Sequence, residues 1–420
     1  MRAPGTGAGP AGGGTARQVA YLINQYPLPS HSFIRREILA LEAAGWCVHR
    51  FSHRSNPVAL VEPANQIERD RTFVLLNAGA WAMWRDVVSA LIRRPVAMIR
   101  STGLALRMAR LGDRRFIAHV GYLVMACTLS RRLRALGCVH VHAHFGTNPA
   151  ALVCLAHHLA GLSYSATFHG PHEFDPALRL NLGEKISAAR FIAVVSRDGM
   201  QRLARQYPGQ AAKFRHIPCV LDGWWFDQPR RDGVPGAELV CVARLDAQKN
   251  PMLLLEAAEL LARRGVVFRL RIAGDGDLRQ DLQARVDGLG LGTRVLLLGW
   301  QTQAQVADLL RGARALVLSS ADEGLPVAIM EAFALGVPAI APAVGAVAEL
   351  VQTGATGWLV RRDDAVALAD AMQQCLSASA EELQRLGLAA RRQVRPHDVR
   401  VSAQMLAAGF AGALVAPRSP

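Results

Sequence analysis

Short apolar, β-branched runs alternate along this chain with stretches whose apolar residues recur every three to four positions. RQVAYLINQ reads as a strand over 17–25, YPLPSHS as a loop, FIRREILALEAAG as an amphipathic helix and CVHRFSH as a second strand. VHVHAHF, SYSATFHG, FIAVVS and FRHIPCVLD are further strands, each next to a helix-like segment. Apolar strands alternating with helices imply a parallel sheet covered on both faces. The alternation pauses at DGWWFDQPRRDGVPGAE (222–238), rich in Gly, Pro and charge, then restarts with LVCVARL, VVFRLRIAGDG, RVLLLGW, RALVLSS, PAIAPAV and GWLV, separated by helical stretches. Helices over 365–416 close the chain. The expected class is α/β, with two doubly wound Rossmann-like domains in tandem. Their expected limits are a flexible tail over 1–16, a first domain over 17–222, a linker over 223–237, a second domain over 238–395, and a helix and tail over 396–420. Open α/β sheets bind ligands beyond the carboxyl ends of their strands, so two facing sheets place a ligand in the cleft between them.

Composition narrows the class. A chain of 420 residues exceeds a single ordinary core. With 51% apolar and 19% charged residues it is globular and not disordered. The seven cysteines are scattered, with no CxxC pair, which points to a reducing compartment and away from structural zinc. The net charge is +15, and only Lys185, Lys213 and Lys249 are lysines. Such a surface attracts anions. No alternation of aromatic and basic residues suited to stacking bases occurs, so nucleic acid is not expected and an anionic membrane surface is. Segment 79–137 mixes Trp, Met and Leu with many arginines and almost no acid. It reads as helices packed on the first sheet, as a basic amphipathic surface lying on anionic lipid, or as both. The start lacks an apolar signal region, and its GxGxxG (Gly7, Gly9, Gly12) precedes the first strand, where it cannot cradle a dinucleotide. FIAHVGYLVMACTLS (116–130) falls short of the roughly 18–20 residues of a spanning helix. The expected setting is cytoplasmic, peripheral at the inner face of the plasma membrane.

The chemistry concentrates at strand ends. In SSADEGLPVAIMEAFALG, Glu323 leaves the end of a strand and Glu331 lies in the helix that Pro326 opens. Backbone N–H groups near Gly324 and Leu325 favour an anion. Such a site offers N–H donors to phosphate and carboxylates to hydroxyls, a combination suited to a sugar nucleotide. Alternatively, Glu323 caps the helix and Glu331 sits on its solvated face. VARLDAQKNP adds Arg244 and Lys249, a fork and a point charge fit for a diphosphate. Trp300 either stacks on a base or packs inside. Asp275 and Asp277 spell DxD, but at a strand-to-helix turn where these residues serve turn geometry, so no metal role is assigned. His140, His142 and His144 alternate and share one strand face. The pair His142 and His144 is read as polar cleft lining, and His140 is left unassigned.

These motifs, in this order with RIAGDGDLR, VLLLGW and TGWLV, resemble the second domain of the retaining glycosyltransferases of family four, of the GT-B architecture. The glutamates match that family's E-x7-E pair. The likeness implies that Arg244 and Lys249 hold a diphosphate, Glu323 the donor sugar's hydroxyls, and Glu331 the ribose, with backbone contacts from Gly324 and Leu325. It places His169, in ATFHGPHEFD, near the reacting sugar. YPLPSHSFIRREILALEAAGWCV resembles a subgroup of bacterial exopolysaccharide transferases in which the loop reads Ser-Glu-Thr-Phe. Ser30, His31, Ser32 and Phe33 stand there in this chain, so His31 replaces the acid. Ser30 and Ser32 contact donor or acceptor in this reading, or Ser30 caps the following helix. Kinship further implies retention by front-face substitution, no metal or other cofactor, a UDP- or GDP-sugar donor and a lipid-linked saccharide acceptor. The rivals are a sugar-nucleotide epimerase, a pyridoxal phosphate phosphorylase, for which Lys185 and Lys213 are poorly placed, and a basic nucleic-acid-binding protein.

Overall fold

A computed structural model describes residues 17–111, 116–175, 180–229 and 236–415. The expected tail over 1–16 lies outside them, as do part of the linker and the last residues. Among the described residues, seven parallel strands form a first sheet. They are β1 (Arg17–Gln25), β2 (Trp46–Arg54), β3 (Thr72–Val74), β4 (His140–His144), β5 (Ser163–Phe168), β6 (Ile192–Val194) and β7 (Phe214–His216), in spatial order β3-β2-β1-β4-β5-β6-β7. Six more form a second parallel sheet: β8 (Glu238–Val242), β9 (Arg269–Ala273), β10 (Val295–Gly299), β11 (Ala315–Val317), β12 (Ala339–Pro342) and β13 (Gly357–Val360), in order β10-β9-β8-β11-β12-β13. Each order reverses once, at β1/β4 and at β8/β11. Those reversals are the switch points where helices leave opposite faces and a crevice opens.

The helices form where the sequence supplies an apolar stripe and a start signal. Helix Ser32–Ala43 buries Ile34, Ile38 and Leu41 at the spacing of one helical face. Helix Pro251–Arg263 begins with Pro at the first position, and the Asn250 side chain accepts from Leu253 N–H. Thr302 and Gln305 close a reciprocal capping box on helix Gln303–Arg311.

Segment 79–137 forms three helices, Ala80–Arg93, Pro95–Leu111 and Phe116–Ala135. Their inner side chains, among them Met98, Leu104, Met108 and Leu129, join the core beneath the first sheet. Trp81, Trp84, Ile92, Val96, Ile99, Phe116 and Ile117 are exposed, and the two tryptophan rings stack 5.2 Å apart. The packing reading of this segment therefore holds, and an exposed face with tryptophans remains on its outer side. No described helix is long and apolar enough to cross a membrane.

The stretch expected as a linker is partly ordered into a short helix, Gly223–Asp227, whose Trp225 is buried in the core of the second half. Beyond it the chain crosses back. Helix Val399–Val415 lies against helix Ser32–Ala43, and its Phe410 packs fully buried against Tyr21, Trp46 and Phe191. Burying a phenylalanine in this way contributes about 1.5–3 kcal/mol.

Candidate active site

The carboxyl ends of both sheets open on one cleft of about 560 Å³, within the range of small-molecule sites. The loop after β1 and the first turns of helix Ser32–Ala43 bring Ser30, His31, Ser32 and Arg36, and the end of β5 brings His169. From the other side come Arg244 and Lys249 after β8, Trp300 after β10, Glu323, Gly324 and Leu325 after β11, and Glu331 from helix Val327–Ala334. Elements more than 290 residues apart in the chain thus meet in one site.

Each carboxylate has a defined partner. Glu323 is buried, and its Oε1 accepts from Lys249 Nζ at 2.6 Å and from Ser320 Oγ at 2.6 Å. The helix behind it carries no side-chain cap, so the alternative that Glu323 caps it does not hold. Glu331 is buried too, which overturns a solvated face. Its Oε1 accepts from Arg36 Nη2 at 2.8 Å, across the cleft. Burial raises the Glu331 pKa, and the Arg36 charge opposes the rise. Arg36 lies in addition 3.5 Å from Asp222 and over the Trp225 ring. Arg244 pairs with Asp246 at 2.9 Å and donates to Gln248 at 3.2 Å, leaving its guanidinium half-exposed to the cleft.

Gly324 marks the closest approach of the two halves. A Cβ there would sit 1.6 Å from the His169 carbonyl oxygen, so only glycine fits while the cleft keeps this width. Pro171 and His172 continue the seam, where His172 N–H donates to Asp322 at 3.0 Å. At the opposite lip Gln303 N–H donates to Glu62 at 3.0 Å.

His169 is anchored from behind. Its N–H donates to Glu173 Oε1 at 2.8 Å, and Gly146 N–H donates to the other oxygen of that carboxylate. Burial pushes Glu173 up to about 7 against the pull of these N–H groups. Burial likewise drives His169 well below the usual histidine range, with His144, His31 and His172 adding repulsion. His31 is pushed down to about 3 by burial and by the nearby Arg244 charge. Both rings are therefore neutral near pH 7.

One expectation fails. His142 and His144 do not line the cleft, for both are fully buried. His142 sits between the hydroxyls of Ser165 (2.7 Å) and Thr167 (2.8 Å), and His140 between those of Ser163 (3.0 Å) and Ser165 (2.9 Å). A parallel sheet buries both faces, so a polar strand face is satisfied by hydroxyls on the neighbouring strand. Glu37, His142 and His144 place ligand atoms within 4.8 Å of one another, yet both His142 nitrogens are already engaged. Ser30 does not cap the helix either: the cap position is His31, and no side chain serves there. Asp275 accepts from Gly276 N–H, as the turn reading requires. Arg36, Glu173 and Asp222 were not singled out from sequence. Their only signal, charged residues at buried helical or strand-end positions, emerges once the fold is known.

Two doubly wound halves facing one cleft define the GT-B architecture. Residues 232–393 match the family model "Glycosyl transferases group 1", and this stretch of the chain is a glycosyltransferase group 1 domain. Among curated proteins, the amylovoran biosynthesis glycosyltransferase AmsK of Erwinia amylovora is 34% identical over 37% of this chain and 40% of its own. The UDP-Gal:alpha-D-GlcNAc-diphosphoundecaprenol alpha-1,3-galactosyltransferase of Escherichia coli is 34% identical over 29% of this chain and 32% of its own. The chain thus spans well under half the length of these curated relatives. Among solved structures, Anabaena HepE in complex with UDP and glucose superposes over 94% of this chain and all of its own, with a TM-score of 0.69 at 15% identity. That likeness concerns the fold.

Proposed function

We propose that the protein is a glycosyltransferase that moves a sugar from a nucleotide diphosphate donor to an acceptor hydroxyl with retention at the anomeric carbon. The observation that carries this reading is the convergence of Arg244, Lys249, Glu323 and Glu331 from one half on a cleft whose other wall bears His169. In this reading Arg244, Lys249 and the Gly324–Leu325 N–H groups take the diphosphate, where charge builds as the donor bond breaks. Groups held ready for that charge stabilise the transition state more than the ground state. Glu323 takes hydroxyls of the donor sugar, Glu331 those of the ribose, and Trp300 stacks on the base. His169 faces the reacting sugar, and Ser30, His31 and Ser32 line the acceptor side.

Calorimetric titration of UDP, GDP and ADP tests the donor site. One of them should bind in the micromolar range and lose that binding in Glu331→Ala and Arg244→Ala. Binding of none by the folded chain would overturn the assignment. A transferase is favoured over an epimerase, since the relatives named above are transferases.

The acceptor in this reading is a lipid-linked saccharide, reached from an anionic membrane surface on the cytoplasmic side. Support comes from the relative that acts on a diphosphoundecaprenol substrate by name and from the exposed Trp81, Trp84, Ile92, Val96 and Ile99 beside arginines 85, 93, 94 and 100. Amphipathic basic helices lie in the headgroup region. Sedimentation with vesicles containing anionic lipid at low salt should carry the chain down, and Trp81→Glu/Trp84→Glu should leave it in the supernatant. Equal pelleting of both would remove this surface from the reading.

A further inference from the structure

Behind His169 runs a line of buried polar groups that no role described above uses. His144 Nδ1 stands 3.0 Å from His169 Nε2, and the two rings stack 5.2 Å apart. His144 Nε2 lies 3.2 Å from Glu37 Oε1. The same carboxylate oxygen accepts from the Tyr21 hydroxyl at 2.7 Å. Tyr21 and His144 are wholly buried and Glu37 nearly so. The line starts in the core of the first half and ends at the cleft.

The direction of each proton along it follows from chemistry. An ionised carboxylate only accepts. Tyr21 keeps its proton, since burial and the Glu37 charge raise its pKa well above the usual tyrosine range, and it donates to Glu37. His144 Nε2 faces that carboxylate at 3.2 Å without the alignment of a hydrogen bond, and the carboxylate charge favours the ring proton on this nitrogen over Nδ1. With the ring's proton on that nitrogen, the other, Nδ1, is a lone pair. Two ring nitrogens 3.0 Å apart need one proton between them, and His169 Nε2 supplies it. That leaves Nδ1 of His169 as a lone pair. It lies on the side of Cys219, whose sulfur is 3.8 Å away and which also lines the cleft. Burial raises the Cys219 pKa, so the thiol stays protonated and offers its S–H to that lone pair when nothing else does.

We propose that Glu37 and His144 are positioning residues that hold His169 in the Nε2–H tautomer, so that it presents an acceptor, and not a donor, to a hydroxyl bound in the cleft. The proposal rests on the glycosyl-transfer reading only for its kinetic consequence; the tautomer itself stands apart from it. The device works with Glu173, which fixes the backbone of His169 while His144 and Glu37 fix its ring. Phe145 and Phe33, with ring centroids 4.6 and 5.0 Å from His169, close the remaining directions. A hydroxyl group of a sugar, whether donor or acceptor, is the chemistry that such a lone pair recognises.

Long-range ¹⁵N–¹H correlation on ¹⁵N-histidine-labelled protein, without ligand, reads the tautomer directly, with His169 assigned by loss of its signals in His169→Gln. The expected result is a protonated Nε2 and a bare Nδ1. A protonated Nδ1 would overturn the proposal, and needs no variant to be seen. Glu37→Leu leaves the His144 nitrogen that faces it without an acceptor, so the proton of that ring is free to sit on Nδ1 instead. Its expected spectrum shows His169 no longer held as Nε2–H alone, with the circular dichroism of the unsubstituted chain. A pure Nε2–H tautomer in folded Glu37→Leu would equally overturn the proposal. Should transfer be measurable, Glu37→Leu is expected to lower kcat about 10²-fold with the donor KM unchanged. If the tautomer behaves as expected and no sugar is transferred, it is the functional reading that fails, and not the positioning of His169.

Discussion

Glu323→Gln should lower the rate of glycosyl transfer by about 10²–10³-fold while nucleotide binding stays within a few-fold of the unsubstituted chain. Shape is nearly preserved by this change and charge is not. Glu323 Oε1 is shared between Lys249 Nζ and Ser320 Oγ, each at 2.6 Å. The glutamine oxygen can still accept from both, so the loop keeps its fold. Lys249, mostly buried, then carries a positive charge with no anion beside it. In the proposed complex this charge belongs to the balance around the leaving diphosphate, and the carboxylate orients the sugar that leaves it. In the same reading nucleotide affinity, assigned to Glu331, Arg244 and Trp300, is largely spared. Steady-state kinetics of nucleotide release, beside calorimetry on the same sample, separate the two effects. Full activity in Glu323→Gln would remove this carboxylate from the chemistry, and joint loss of binding would make it part of the nucleotide pocket instead.

Mild acid should destabilise the chain before most of its carboxylates titrate. His31, His140, His142 and His169 are held neutral by burial, the first two with values pushed down to about 3 and the others well below the usual range. In the unfolded chain each binds a proton below its ordinary value of 6.5. Unfolding therefore takes up protons, and stability is lost as pH falls from about 6.5 toward 3. Between pH 7 and pH 5 each of the four costs about 2 kcal/mol. Glu173 works the other way. Its folded value of about 7 exceeds 4.5, so protonation favours the folded chain in this interval and offsets about 2 kcal/mol. The net loss is on the order of 5 kcal/mol, comparable to the whole stability of many domains. Urea titrations at pH 7.5, 6 and 5 read it as a falling midpoint. A midpoint that does not move would mean that the histidines protonate within the fold.

Much of this architecture is legible in the sequence, for identifiable reasons. Strands such as β8, β10 and β13 are short apolar runs bounded by Gly, Pro or charge, and their positions follow to within three residues. Strand β3 and helix Pro63–Arg71 are not legible, because EPANQIERDRTFV is polar and gains its order at a sheet edge. The alternation of His140, His142 and His144 fixes a shared face. Since both faces of a parallel sheet are covered, it does not say whether that face meets the cleft. Of the residues proposed for the donor side, Trp300, Glu323 and Leu325 sit beside a Gly or Pro at a strand end, whereas Arg244, Lys249 and Glu331 are legible only through the order of the family's motifs. Arg36 is not legible, being one of two adjacent arginines on its helix, and its pairing with Glu331 depends on how the two halves are set against each other.

Helix Val399–Val415 carries a consequence for how the chain is made. Its Phe410 fills the space among Tyr21, Trp46, His140, His142 and Phe191, side chains that lie about two hundred residues or more ahead of it in the chain. During translation those side chains emerge some hundreds of residues before the piece that covers them. The first sheet therefore waits with part of one face uncovered, and order of synthesis is not order of completion. Nascent chains stalled before residue 399 should bind holding chaperones, and release should free them from that need.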